Sequence, residues 1–331
     1  MKRDIEAFVC RRWAVPRRGL RVALEPVRGG LESVVARVTI AATRPPAGLP
    51  DRLVVKRLPD GGGREADVYG VLWRHVEQPP AARVLGVQTT GETRLLYLED
   101  VRARATWPWA EQACAAAVCR ELARFHEHAA LPRGAFDWDY DADLRRSARA
   151  TLAAAFDARY AGGSRIWRRF GDLKRVASGL DLIRARLAAA GRVVIHGDVH
   201  PGNVLLREGA AHQVALIDWG RARLGSPLED VASWLHSLGC WEPQARRRHD
   251  SLLKAYLGSR QTPWALDAGL RELYWYASAS NGLAGAIRYH LAVLGDRSAS
   301  HGAIGDSRRA LFQWERVVRR AAALLSTSRD R

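Results

Sequence analysis

Cysteine is scarce: Cys10, Cys114, Cys119 and Cys240 are scattered over 331 residues, too few and too unevenly spaced for a disulfide framework or a cysteine-based zinc site. Reduced thiols fit better. No stretch offers the roughly 18 uninterrupted apolar residues that span a bilayer. The opening Met1-Lys2-Arg3-Asp4 places charge where a signal peptide needs an apolar core. The expectation is a cytoplasmic protein with no membrane partner. Internal repeats are missing, and the only biased stretches are rich in Ala and Arg. Although the formal charge is +17 and the pI near 10.7, the arginines are dispersed, with short runs such as Arg246, Arg247 and Arg248. No aromatic-interleaved basic stripe of the kind that follows a nucleic-acid backbone is present. A solvated surface accounts for the charge, and no nucleic-acid partner is expected.

What is present describes a globular chain. With 47% hydrophobic and 26% charged residues, it lies far from the composition of disordered chains. Its length is about twice the usual single-domain length of roughly 150, which predicts two lobes or one large α/β unit. Val34, Val35, Val38 and Ile40 predict a strand within 32–41, and the segment 52–58 (RLVVKRL) predicts another. Val68, Val71, Leu72 and Val76 recur at helical spacing over 64–76. Segments 83–88 and 94–99 flank turn-forming residues and predict a hairpin. Beyond Trp107-Pro108 the chain turns to Ala-rich helical patterns over 110–129, 142–160 and 171–190. Short strands at 193–195, 204–206 and 214–217 interrupt them before helices resume. A small β-rich lobe over 1–101 and a larger helical lobe over 102–331 follow.

The interruption carries the chemistry. His196-Gly197-Asp198-Val199-His200-Pro201-Gly202-Asn203 sets an Asp and an Asn five positions apart on a turn after an apolar strand, and Asp218-Trp219-Gly220 follows. In phosphoryl transfer a loop Asp accepts the proton of the attacking hydroxyl, while an Asn and a second Asp hold Mg²⁺. The kinase pattern H-R-D-x-x-x-x-N followed by D-F-G has here the form H-G-D-x-x-x-x-N followed by D-W-G. Gly, Pro, Asn and Asp also dominate ordinary turns, but the number of matched positions makes chance a poor account. Asp198 is therefore read as the base, with Asn203 and Asp218 as Mg²⁺ ligands. Such an enzyme also needs a strand lysine for the nucleotide phosphates and a helix glutamate to position it. Lys56 and Glu65 stand in that order.

These residues resemble the aminoglycoside phosphotransferase and choline kinase family. The likeness runs through Gly29, Gly30 and Ser33 at the first hairpin, Lys56, and Arg64-Glu65-Ala66. It continues through Leu95 to Asp100 (LLYLED, including Glu99), the Asp198 loop, Ile217-Asp218-Trp219, and Gly225-Ser226-Pro227 to Asp230. The resemblance implies an α+β, bilobal protein-kinase-like fold with ATP or GTP between the lobes and the base against a hinge at 95–100. It also implies a small hydroxylated acceptor: an aminoglycoside, another hydroxylated antibiotic or amino sugar, or a choline-like amino alcohol. A monomer or homodimer is expected. The third glycine of a protein-kinase phosphate loop is missing after Gly29-Gly30, and Gly197 stands where protein kinases have arginine. No A-P-E segment follows, so regulation by phosphorylation is not expected.

Several residues keep two readings. Asp230 is a third catalytic acid or, as the resemblance implies, a brace for the catalytic loop. His196 and His200 could serve a metal-dependent hydrolase, although i and i+4 do not share a face on a loop containing Gly and Pro; supporting roles are preferred. The carboxylates of 137–143 (DWDYDAD) line a pocket for a cationic acceptor or, more simply, Asp141 or Asp143 caps a helix. Trp234, Trp241, Trp264, Tyr274, Trp275 and Tyr276 form core or a stacking pocket, with core preferred.

Overall fold

The computed structural model describes residues 1–27, 34–58, 63–91, 93–104, 106–127, 131–132, 134–161, 169–209, 212–262 and 264–329. The N-terminal helix α1 (Lys2–Trp13) precedes strands β1 (Leu20–Val27), β2 (Val34–Ala42) and β3 (Arg52–Leu58). Helix α2 (Gly63–His75) then leads to β4 (Val84–Thr90) and β5 (Thr93–Glu99). The five strands pair antiparallel in the order β1-β2-β3-β5-β4. Alternation along a strand sends successive side chains to opposite faces, and this sheet buries both. Ala36, Val38, Leu53, Val55, Leu95 and Tyr97 join α1 in one core, where Phe8 stacks on Tyr97 at 3.6 Å between ring centres. Leu58, Leu96 and Leu98 join Val68, Tyr69 and Leu72 of α2 in the larger core, which continues into the helical lobe. The same parity puts Arg52, Val54 and Lys56 of β3 on the face opposite α1.

The rest of the chain is mainly helical. After α3 (Gln112–His126) come α4 (Tyr140–Ala161), α5 (Phe170–Ser178) and α6 (Leu180–Ala189). Short strands β6 (Val193–Ile195), β7 (Val204–Leu206), β8 (Val214–Leu216) and β9 (Arg223–Gly225) pair as β6-β9 and β7-β8. Helices α7 (Pro227–Trp241), α8 (His249–Gly258), α9 (Ala268–Asn281), α10 (Ile287–Gly295) and α11 (His301–Arg329) complete it. This is the α+β kinase-like architecture expected from the sequence. Strands β1 and β9 were not among the predicted strands, and further details differ from the sequence reading. The predicted helix over 171–190 is two helices that part at Gly179, where a Cβ would lie 2.7 Å from a Leu325 methyl. Helix α1 was not expected; its apolar residues Ile5, Phe8 and Val9 lie among charged neighbours. Finally, Asp139 rather than Asp141 or Asp143 accepts the capping bond of α4, from the Ala142 amide at 3.1 Å.

Candidate active site

Strand β3 aims Lys56 into the space between the lobes, and the first turn of α2 brings Glu65 beneath it. Lys56 Nζ lies 2.8 Å from Glu65 Oε2 and 2.7 Å from Asp218 Oδ1, so one ammonium joins the sheet, α2 and the segment after β8. Burial opposes the Lys56 charge, but the two carboxylates outweigh it and hold its pKa above the ordinary lysine value. Glu65 is also raised, by its burial and by Asp218, against the pull of Lys56. The cluster thus holds two carboxylates against one ammonium and retains negative charge. Asp218 reaches this position from a left-handed backbone (φ 66°, ψ 61°), a conformation that Asp tolerates better than most side chains. Trp219 behind it is fully buried, donates to the Leu216 carbonyl at 3.0 Å and packs edge-on against His196.

The loop between β6 and β7 is set by buried polar contacts. Asp230, on the first turn of α7, accepts the amides of His196 and Gly197, each at 2.7 Å, and faces His126 Nε2 at 3.2 Å. Burial works against its charge, yet the His126 contact and the Gly197 amide keep its pKa below the ordinary carboxylate value. Both His196 nitrogens are engaged: Nδ1 accepts from the Asp198 amide at 3.2 Å, and Nε2 donates to the Ile217 carbonyl at 3.0 Å. Burial lowers its pKa. His200 Nδ1 accepts from the Gly202 amide at 3.1 Å. A metal held by His196, as a hydrolase would need, would have to break the bonds that shape the loop. Gly197 has φ +82°, and a Cβ there would sit 2.4 Å from the Arg221 carbonyl oxygen. Only glycine fits that approach.

Asn203 is buried, and its Nδ2 donates to the Asp198 carbonyl at 3.0 Å. That bond fixes the amide orientation and leaves Oδ1 without a hydrogen-bond partner among the described residues. The half-buried Asp198 carboxylate likewise makes no hydrogen bond or ion pair among the described residues. Asn203 and Asp218 line a cleft of about 500 Å³ together with Lys56, Glu65 and Glu99; Asp198, His196, His200 and Asp230 do not line it. Its walls are apolar in the middle, with Val35, Val54 and Leu98 from the sheet and Leu205 and Ile217 from the helical lobe. Elsewhere in its lining Asp100 pairs with Arg37 at 3.1 Å and Arg52 at 3.3 Å. The Glu99 carboxylate is occupied by Arg207 (2.6 Å) and the Arg83 amide (3.0 Å). Gly29, Gly30 and Ser33 lie outside the described residues.

Residues to which the sequence reading gave no role complete the frame. Arg64 of α2 donates to the carbonyls of Gly220, at 2.8 Å, and Ala222, and stacks on Trp138. Buried Arg223 lies 3.6 Å over the Tyr140 ring and pairs with Glu229, which also holds Arg184. The acidic 137–143 stretch is partly spent in this way: Asp141 pairs with Arg184 and Asp143 with Arg146. Trp234, Tyr274 and Tyr276 are core, whereas Trp241 is exposed. The only forewarnings were the place of Arg64 next to Glu65 and of His126 on an apolar helix face.

Known structures share this arrangement of elements. A choline kinase of Cryptosporidium parvum superposes with a TM-score of 0.60 at 12% identity, covering 99% of this chain and 97% of that one. A spectinomycin phosphotransferase, solved with ADP and spectinomycin, gives 0.58 at 11% identity over 98% of both chains. An aminoglycoside phosphotransferase of Streptomyces rimosus gives 0.53 at 21% identity, covering 79% of this chain and 92% of that one. No curated protein sequence matches the chain. The sequence pattern of the phosphotransferase enzyme family, by contrast, matches residues 23–273. That span runs from β1 into α9 and includes the cleft and the loop just described, and on it the chain belongs to the phosphotransferase enzyme family.

Proposed function

We propose that the protein transfers the γ-phosphate of ATP or GTP to a hydroxyl of a small molecule. The observation that carries this reading is Lys56, held at 2.7–2.8 Å between Glu65 and Asp218 in the lining of an apolar-walled cleft. An ammonium so placed suits nucleotide phosphates. The apolar middle of the cleft suits a flat base set against the segment 95–100, which the family resemblance makes the hinge.

The residues fit a divalent cation. Asn203 Oδ1 has no partner among the described residues, Asp218 offers a second hard oxygen, and the cluster is net negative, as a hard cation requires. Mg²⁺ bound there would neutralise charge on the nucleotide phosphates. Asp198, whose carboxylate makes no hydrogen bond or ion pair among the described residues, accepts the proton of the attacking hydroxyl. Asn203 steadies it through its backbone carbonyl, and Asp230 holds the amides on its N-terminal side. Lys56 orients the phosphates, and Glu65 keeps Lys56 in place. His196, with both nitrogens engaged, and His200 shape the loop.

An aminoglycoside, other hydroxylated antibiotic or amino sugar is the first acceptor class, and an antibiotic acceptor would make the chain a resistance factor. Amino alcohols of the choline type come second. The test is nucleotide consumption by the purified protein with Mg²⁺, ATP or GTP, and aminoglycosides, spectinomycin, choline and ethanolamine in turn. The reading expects acceptor-dependent turnover that disappears in Asp198→Asn. Turnover that survives in folded Asp198→Asn would remove Asp198 as the base, and failure of both nucleotides to bind would remove the reading itself.

A further inference from the structure

The molecule has a second cavity, of about 240 Å³, among α7, α8, α9 and α11, which shares no lining residue with the cleft. Helix α9 shows the separation. Its C-terminal Asn281 donates to the Glu229 carbonyl beside Asp230, whereas the cavity uses Arg271, Tyr274 and Trp275, roughly 9–15 Å back along the helix axis. We propose that this cavity binds a small organic phosphomonoester, with the phosphate against its arginines and the organic body against its apolar side.

Charge favours a dianion. Arg246, Arg271 and Arg316 line the cavity against a single carboxylate, Asp250. Arg246 is fixed in the wall by the Gly239 carbonyl at 3.0 Å, and Arg271 reaches Asp250 at 3.4 Å. Arg316 makes no hydrogen bond or ion pair among the described residues. The surplus of two positive charges matches a phosphomonoester, which carries about −1.5 to −2 near neutral pH. A guanidinium fork also suits phosphate oxygens.

The polar floor is already built. Tyr274 Oη lies 2.5 Å from His249 Nε2 and 3.3 Å from His236 Nε2, and His236 Nε2 also meets Ser278 Oγ at 2.9 Å. His236 is only 7% exposed, and its Nδ1 has no partner among the described residues. His236 is one of the residues that line the cavity. Burial keeps both imidazoles neutral, with Arg316 adding to the effect; Ser278 Oγ donates to the Tyr274 carbonyl at 2.7 Å and so accepts from His236 Nε2, which leaves Nδ1 an acceptor for a hydroxyl of the ligand. Leu235, Leu253, Val317 and Trp275 form the apolar side. At about 30 Å³ per water, the volume corresponds to about eight waters, enough for a phosphate and one ring. A bare inorganic anion would leave the apolar side unused.

The site is independent of the phosphotransfer reading and is tested without turnover. Isothermal titration of the full chain at neutral pH uses phenyl phosphate, phenol and inorganic phosphate as probes. Variants are Arg271→Ala/Arg316→Ala, both exposed positions, and Lys56→Met, which removes the cleft ammonium. Phenyl phosphate is expected to bind wild type and Lys56→Met alike and to lose about a hundredfold in affinity in the double variant, about tenfold per charge-assisted contact. Phenol is expected to bind far more weakly. No binding of phenyl phosphate at millimolar concentration, equal binding of phenol, or a loss that follows Lys56 rather than the arginines would overturn the proposal.

Discussion

Asp230 separates a brace from a catalyst, and Asp230→Asn is the perturbation that decides between them. The side chain is 0% exposed and receives three donors: the His196 amide and His126 Nε2 on Oδ2, and the Gly197 amide on Oδ1. Asparagine has the same shape but a single acceptor oxygen. Its better orientation keeps the oxygen toward His196 and His126 and turns the NH₂ against the Gly197 N–H. One charge-assisted bond, about 1.5–3 kcal/mol, is lost, and a buried N–H is left unpaired at about 1–3 kcal/mol. The sum, roughly 2.5–6 kcal/mol, is a large share of a typical stability of about 5–15 kcal/mol. Urea unfolding followed by circular dichroism should therefore show a midpoint well below wild type, together with reduced turnover as the loop loses its anchor. The ionised carboxylate, with its lowered pKa, stabilises the fold above the unfolded value of 3.8 and ceases to do so as pH falls through the folded value. Asp230→Asn should flatten that acid limb. A variant with wild-type unfolding but no turnover would refute the argument and make Asp230 a chemical participant.

Three other outcomes follow from the same geometry. Asp198→Asn, which breaks no side-chain hydrogen bond among the described residues, should unfold like wild type while kcat falls about 10²–10⁴-fold; a matching loss of stability would show a structural role instead. Gly197→Ala should cost about 1–2 kcal/mol for the left-handed backbone and about 1–3 kcal/mol more for pushing the Arg221 carbonyl aside, read as a lower melting temperature; an unchanged one would contradict the close approach. Burial lowers His249 and His290 to about 4, so they stay neutral in the native state while the unfolded chain protonates below about pH 6.5. Stability is therefore whole above that value and declines as pH falls toward 4, by up to about 1.4 kcal/mol per pH unit for each. Denaturation midpoints that do not fall between about pH 6.5 and pH 5 would count against that burial.

Much of the architecture was legible because it is local. The alternation in 32–41 and 52–58 and the helical spacing in 64–76 name elements that β2, β3 and α2 reproduce within a residue or two. The loop at 196–203 could be named because its spacing is a matter of consecutive residues. Helix α1 and the break at Gly179 were not legible: one has too few apolar residues to stand out, and the other depends on a Leu325 methyl far along the chain.

By itself the sequence determined which residues stand on strands, helices and turns, and which of them bear oxygens and charges suited to phosphate chemistry, since these depend on neighbours a few positions apart. Only the tertiary structure decided who meets whom. Lys56 finds Asp218 across 162 positions, and His126 finds Asp230 across 104. Among 52 basic and 35 acidic side chains the choice of partner is degenerate in one dimension. It becomes unique only when burial removes water as an alternative partner and leaves each enclosed charge with the neighbours the packing provides.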